Sequence, residues 1–448
     1  MVNIKRGYGG VRVPDKKEFS SGAEIEAAGT PKELCLFLSQ HTGAPANAVV
    51  KAGDLVKKGQ MIAEAKGAVS ASIHAPTSGK VKAVEPKYQP VLGRLVDAIV
   101  IEPDGKDEVH EGVVPRASSV DDISKEDLIK LAREAGLVGL GGAAFPVAVK
   151  LTPPPDKKID TYLLNGIECE PYLTADERLM AEEPNEVVFG FRALMKGAGV
   201  GRGIVCIEDN KPEAISAMRE AIRPFSELTL AVVPAMYPRG GEKQLIQVVL
   251  GREVPPPPGL PLDVGVIVSN VGTARALASA VLTGMPLIER IVTVTGEGIQ
   301  KPSNFRALIG TPVSDLVERA GGFKGTAGKV IMGGPMMGTS LKDLDSWIIK
   351  GTSGIVVLST DQVQDEPVQP CLRCGKCVEV CPMNLMPVWM AVSAEHGYLD
   401  DAEKYRVMDC CECGACTYEC PSKRPLVQNI KLAKARIAAR RRAQASRQ

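Results

Sequence analysis

CLRCGKCVEVCP at residues 371–382 and CCECGACTYECP at 410–421 decide how the C-terminal part of this chain folds. Each reads C-x2-C-x2-C-x3-C-P, with Cys371, Cys374, Cys377 and Cys381 before Pro382, and Cys410, Cys413, Cys416 and Cys420 before Pro421. This is the spacing of bacterial two-cluster ferredoxins. Three thiolates two residues apart wrap one tight loop and hold three corners of a four-iron cubane. The fourth cysteine opens the next helix and points away from that loop, so it reaches the other cubane. The expected ligand sets are Cys371, Cys374, Cys377 with Cys420, and Cys410, Cys413, Cys416 with Cys381. Zinc sites normally use separated C-x2-C pairs instead of a triplet. Cys411 breaks the repeat and reads as a non-ligand. Cys35, Cys169 and Cys206 read as buried or incidental thiols. An array this dense implies metal ligation rather than disulfides, and it predicts an electron-transfer protein.

Outward from this array, 448 residues are too many for one ordinary domain, and three or four are expected. Gly (45) and Pro (33) are abundant while aromatics are only 4%, which favours short strands and tight turns over long bundles. The net charge of +1 gives no global basic field for nucleic acid. No apolar run is long enough to predict a transmembrane helix. MVNIKRGYGG carries no apolar segment after its basic residues, so no secretory signal is expected.

Residues 1–34 read as an extended arm. Residues 35–115 read as β structure, with turns at GDLVKKGQ (53–60) and HAPTSGKVKAVE (74–85), and resemble the lipoyl/biotinyl-type barrel-sandwich hybrid. Ala68 stands where that family carries its modified lysine, and Lys66 is two residues too early. The domain is therefore expected to be an unmodified scaffold. From 116 to 286 strands and helices alternate, which predicts a largely parallel sheet. Ser124 and Asp127 mark a helix start, and Gly136 its stop. Residues 287–350 resemble the soluble-ligand-binding β-grasp module. The cysteine array occupies 360–428 and a basic tail 429–448.

GLGGAAFPVAVK (139–150) contains a weak dinucleotide pattern. The segment before it reads as helix, not strand, so a standard Rossmann turn is not expected. Glycines let backbone N–H groups approach a phosphate, and a lysine supplies counter-charge. NGIECEPYLTADER (165–178), YPRGGEKQL (237–245) and SNVGT (269–273) each follow a strand. Loops at the C-terminal ends of parallel strands are where α/β ligands bind. Taken singly, Glu168, Glu170 or Asn270 would read as solvated loop residues or helix caps.

In order, these four loops resemble the flavin- and NADH-binding loops of the flavoprotein subunit of respiratory complex I. The whole chain more closely resembles the C-subunit family of Rnf-type electron transport complexes, with LSQHTGAPA (38–46), VSASIHAPTSG (69–79), GGPMMG (333–338) and CPMNLMP (381–387) as further support. The resemblance implies Gly141, Gly142 and Lys150 at the flavin phosphate end. It implies Asn165, Glu168, Asn270 and Thr273 along the flavin, and Phe145, Glu170 and Glu242 near the nicotinamide nucleotide. Two positions depart from the complex I pattern, Ile167 in place of an aspartate and Ala144 in place of a glycine.

The expected fold is thus multidomain α/β plus β: a barrel-sandwich hybrid, a flavin/NADH-binding α/β domain, a β-grasp module and an α-helical two-cluster domain. The expected function is electron exchange between NAD(H) and ferredoxin through FMN and two [4Fe-4S] clusters, coupled to Na+ or H+ translocation. FMN rather than FAD is expected because no Rossmann unit follows the glycine loop to hold an adenosine. Flavin chemistry is required because NADH gives two electrons as hydride and clusters move one at a time. The partners implied are the membrane and peripheral subunits of the same complex, especially an iron–sulfur subunit, at the cytoplasmic face of the bacterial inner membrane. A flavin-linked cobalamin reductase of bacterial microcompartments and a non-catalytic iron–sulfur wire are the alternatives. Residues 429–448 hold seven Lys or Arg and no acid, with Ile430 and Ile437 seven apart, which suggests an amphipathic, membrane-facing helix.

Overall fold

The computed structural model describes residues 2, 4–363 and 366–445. Arg447, part of the basic tail, lies outside them. The N-terminal arm is extended but bonded along its course. Lys5 N donates to Val248 O at 2.7 Å, and Gly10 N to Val380 O at 2.9 Å. Strand β1 (Ile25–Ala27) pairs in parallel with residues 304–306.

Seven short strands follow: β2 (Leu34–Phe37), β3 (Asn47–Ala48), β4 (Leu55–Val56), β5 (Met61–Glu64), β6 (Ile73–His74), β7 (Gly79–Gln89) and β8 (Arg94–Pro103). They form two sheets, β2-β8-β7-β4 and β3-β5-β6. Leu36, Ile62, Ile73, Val81 and Ile99 from both sheets share one core. Lys66 and Ala68 are exposed.

The α/β domain opens with α1 (Lys125–Glu134). Ser124 caps it by accepting from Asp127 N at 3.0 Å, and Gly136 stops it at φ +62°. Then come α2 (Val147–Lys150), β9 (Thr161–Gly166), α3 (Ala175–Glu182), α4 (Pro184–Ala198), β10 (Gly203–Glu208), α5 (Pro212–Ile222), β11 (Leu228–Val233), α6 (Glu242–Leu250), β12 (Val266–Asn270) and α7 (Val271–Leu282). The sheet is β11-β10-β9-β12 and wholly parallel. Successive residues of a strand face opposite sides. Tyr162, Leu164, Val205 and Ile207 therefore join the core on one face, and Leu163, Ile204 and Cys206 the core on the other. Helix α4 crosses α7 so closely that a Cβ on Gly190 would stand 1.8 Å from Ala274 O. That contact requires glycine and fixes where α7 begins.

The β-grasp module contains β13 (Glu289–Thr295), β14 (Ser303–Leu308), α8 (Val313–Arg319), β15 (Ala327–Met332), β16 (Thr339–Ser340) and β17 (Gly354–Ser359). Its sheet runs β1-β14-β13-β17-β15-β16, so an arm strand forms one edge and β17 lies inside. Both come from outside residues 287–350.

The C-terminal region is helical: α9 (Lys376–Glu379), α10 (Pro387–Glu395), α11 (Leu399–Lys404), α12 (Ala415–Tyr418) and α13 (Leu426–Ala445). Helices α9 and α12 each carry the third cysteine of their triplet, Cys377 and Cys416, and α10 and α13 follow Pro382 and Pro421 alike, so the sequence repeat is a structural repeat. Cys381 and Cys420 lie just past the ends of α9 and α12 and do not open a helix as expected. One expectation is corrected here. Ile430 and Ile437 do not face outward, because both are fully buried against Met390, Ala394 and Val407. Among the bases, Arg440 and Arg441 pair with Asp400 and Glu403 of α11. The apolar stripe is the core of this region and has no free face to insert into a membrane.

Candidate functional site

The glycine loop folds back on itself. Gly139 N donates to Phe145 O at 2.9 Å, and Val138 bridges Pro146. Leu140 N donates to Thr273 Oγ1 at 2.9 Å, which ties the loop to the first turn of α7. A Cβ on Gly141 would stand 3.4 Å from Asn270 Cβ. Gly142 is exposed at φ +106°, with open space where a Cβ would be. Only glycine adopts that backbone freely. Ala144 sits at φ +48°, a conformation costing an alanine roughly 1 kcal/mol, which is why glycine suits the position in the complex I pattern. From behind, Thr42 N and Oγ1 donate to Ala144 O and Ala143 O at 3.1 and 2.8 Å, so the barrel-sandwich domain supports the loop.

The parallel strands end beneath this loop. Asn270 caps α7, accepting from Gly272 N at 2.8 Å, and its amide donates to Asp176 Oδ2 at 2.6 Å. Asn165 closes β9, donating to Gly240 O at 2.9 Å and accepting from Ile167 N at 3.2 Å. Glu168, at φ +46°, turns its carboxylate onto Asp176 N and Glu177 N at 2.7 and 3.1 Å. That arrangement satisfies the first turn of α3 and complements its dipole. Glu242 opens α6 and pairs with Lys150 at 3.2 Å, and Lys150 also donates to Val268 O at 2.8 Å. Phe145 is half-buried at the loop's close.

The structure thus gathers Gly141, Gly142, Asn270 and Thr273 at the start of α7, with Asn165, Lys150 and Glu242 beside them. Glu170 turns away. It accepts from Met336 N and Met337 N at 3.0 and 2.9 Å, in the β-grasp loop GGPMMG. Burial pushes its carboxyl up to about 7, against those two donors. Burial likewise raises Asp176 to about 7, with Glu168 adding to it.

Four contributors carry no local sequence signal. Lys17 of the arm is buried and donates to the carbonyls of Glu168, Glu170 and Leu173. Asp176 buttresses Asn270. Arg290 donates to Lys350 O and Leu140 O, and Lys350 donates to Ser72 O and Gly136 O, both at 2.7 Å. These two buried cations hold the backbone behind the glycine loop. An exposed glycine turn over a capped helix N-terminus, at the carboxyl ends of parallel strands, fits a flavin phosphate.

The two cysteine loops match in detail. Arg373 and Glu412 lie at φ +54° and +59°, and Gly375 and Gly414 at +79° and +80°. Arg373 N approaches Cys371 Sγ at 3.4 Å, and Glu412 N approaches Cys410 Sγ at 3.3 Å. Such N–H groups stabilise thiolate charge. Burial raises the Cys377 thiol, and Cys420, Cys371 and Cys374 raise it further. Burial pushes Cys416 up to about 12, with Cys410 and Cys381 adding to it. Cys377 is thus within electrostatic range of Cys420, Cys410 and Cys416 are within range of Cys381, and Cys416 also lies near Cys377, where the two groups adjoin. Among the described residues no three His, Cys, Asp or Glu side chains are gathered closely enough to hold a single metal ion, and it is the spacing of the eight cysteines that fits two cubanes. Cys371 and Cys374 are exposed, whereas Cys413, Cys416 and Cys381 are buried.

Models of four known domain families match stretches of the chain. Residues 5–106 match the RnfC barrel sandwich hybrid domain and residues 132–279 the Nuo51 FMN-binding domain. Residues 291–340 match the SLBB domain and residues 370–423 a 4Fe-4S dicluster domain. The chain is 47% identical to the C subunit of the proton-translocating ferredoxin:NAD(+) oxidoreductase complex of Clostridium ljungdahlii, over 96% of this chain and 94% of that one. It is 44% identical to the C subunit of the Na(+)-translocating complex of Acetobacterium woodii, over 98% and 99%. It is 43% identical to the C subunit of the ion-translocating oxidoreductase complex of Rhodobacter capsulatus, over 96% and 83%. With a flavin-type loop cluster, a β-grasp module and a duplicated cysteine array in this order, the chain belongs to the C-subunit family of Rnf-type ion-translocating oxidoreductase complexes.

Proposed function

We propose that this chain is the subunit through which such a complex exchanges electrons with NAD(H), using FMN and two [4Fe-4S] clusters and working with ferredoxin as the other redox partner. The observation that carries this reading is one chain holding both the glycine loop docked on α7 and the paired cysteine loops. FMN supplies the conversion between hydride and single electrons when bound. The chain supplies placement. Gly141, Gly142 and the start of α7 hold the phosphate end. Lys150 joins them there. Asn165, Glu168, Asn270 and Thr273 fix the loops along the flavin, and Phe145 and Glu242 shape the nucleotide side. The proposed cluster ligands are Cys371, Cys374, Cys377 with Cys420, and Cys410, Cys413, Cys416 with Cys381. No side chain is needed as nucleophile or general base.

The chain is one subunit of a multi-subunit complex, and no helix among the described residues is long and apolar enough to cross a membrane. Ion translocation therefore belongs to partner subunits in this reading, and an iron–sulfur subunit is the expected neighbour at the cytoplasmic face. Since α13 is packed inward, attachment is expected through those partners. The FMN-domain match weighs against a passive wire, and the full-length relatives weigh against a cobalamin reductase. Anaerobic purification with clusters intact tests the reading. Stoichiometric FMN on extraction and bleaching of the cluster absorbance by NADH are expected, and clusters that NADH leaves oxidised would overturn it.

A further inference from the structure

Tyr237 sits between the flavin-type loops and the cysteines. It is 2% exposed, and its hydroxyl donates to Cys413 O at 2.6 Å. Its backbone bonds Val11 of the arm in both directions, at 2.8 and 3.1 Å. Three residues on, Gly240 O accepts from Asn165, and a Cβ on Gly240 would stand 2.8 Å from Cys169 Sγ. Glu242 then opens α6. One loop therefore contacts the flavin-side residues at one end and the Cys413 loop at the other. Around Tyr237, the side chains of Val11, Cys169, Met336, Cys411 and Cys413 form one apolar cluster. A Cβ on Gly414 would lie 3.0 Å from Met336 O, so the β-grasp module closes this junction. The other triplet has no such cover: Cys371 and Cys374 are exposed, and Leu372 between them is 70% exposed.

We infer that electrons from the flavin site enter at the cluster of Cys410, Cys413 and Cys416 and leave at the cluster of Cys371, Cys374 and Cys377, with Tyr237 the positioning residue that fixes the entry cluster to the flavin domain. This rests on the proposed NAD(H) function. NADH is oxidised to NAD+ with release of one proton. Its two electrons cross the junction singly and pass to a one-electron acceptor centre of a partner protein. Electron tunnelling weakens steeply with distance, so a dry, packed contact belongs at the entry and an exposed cluster at the exit. The Tyr237 hydroxyl directs the positive end of its dipole at the backbone of a ligating cysteine. It thereby favours the more negative, reduced cluster.

Full-length Tyr237→Phe, purified anaerobically, is titrated with dithionite and followed by electron paramagnetic resonance. One midpoint should move down while the other stays, and the stationary signal should be the one altered by Cys374→Ser. Movement of that signal, of both or of neither would overturn the role of Tyr237. Rapid-freeze mixing of wild type with NADH gives a second readout that holds even if the variant loses its clusters. The signal unaltered by Cys374→Ser should rise first, and the reverse order overturns the inference. If NADH reduces neither cluster while dithionite reduces both, the NAD(H) reading fails and the titration still decides Tyr237.

Discussion

Lys17 Nζ lies 3.0 Å from the carbonyl oxygen of Glu168, 151 residues further along the chain. The same ammonium reaches Glu170 O and Leu173 O, so a single arm residue organises the turn leaving β9. Lys17→Met leaves those carbonyls without a donor, at about 1–3 kcal/mol for each one that stays buried. Flavin retention should fall several-fold and the melting transition should drop. Retention equal to wild type in a fluorescence release assay would show that the arm does not support the site.

Glu170 should make the β9 turn sensitive to pH. Burial lifts its carboxyl to about 7, above its ordinary value of 4.5. The folded state therefore binds this proton more tightly than the unfolded state. The corresponding stability is complete below about 4.5 and disappears as pH rises to about 7. Glu170→Gln should remove one proton's share of that slope, up to about 1.4 kcal/mol per pH unit. Denaturation at pH 5, 6 and 7.5 measures it, and an unchanged slope would assign the dependence to Asp176 and Glu177.

Thr273 accepts the Leu140 N–H in a buried position. Thr273→Val keeps the shape and leaves that donor unpaired, costing about 1–3 kcal/mol. The glycine loop should loosen, and FMN dissociation should quicken roughly tenfold or more, with the cluster signals unchanged. Unaltered FMN affinity by fluorescence titration would remove Thr273 from the flavin site.

The crossed ligand sets can be separated by serine substitution. Cys381→Ser should resemble Cys410→Ser, and Cys420→Ser should resemble Cys371→Ser, in the resonance signal that is lost or converted to a three-iron species. Pairing of Cys381 with Cys371 instead would refute the crossing while leaving two clusters in place.

Ile430 is fully buried in the core that joins α10 to α13. Ile430→Ala should cost about 2–5 kcal/mol and release iron earlier on heating. If α13 were an independent membrane helix, iron retention would not change and membrane recovery would fall instead.

Much of the α/β domain was legible because its elements advertise themselves locally. GIVCIE at 203–208 is a buried-strand run, and Pro212 to Ile222 has the punctuation of one helix. Asn270 and Glu168 could equally be read as caps or ligand residues, and both do cap helices in the fold. Lys17, Arg290 and Lys350 were not legible, since each serves carbonyls far away in sequence and a single chain carries no periodicity for that. The membership of β1 and β17 in one sheet was hidden for the same reason. In the tail, spacing located the apolar stripe of Ile430 and Ile437 correctly. It could not say that α10 covers the stripe.

The seating of the arm sets an order of assembly during synthesis. Residues 25–27 need residues 304–306 as their neighbours, and Gly10 needs Val380. At about 5–20 residues per second, a ribosome delivers those partners roughly 15–75 s after the arm has emerged. The arm is translated well before its partners and is thus among the last segments to dock, onto domains already shaped. A bulky group fused ahead of residue 10 would meet its obstruction at that final step, after the domains themselves had folded.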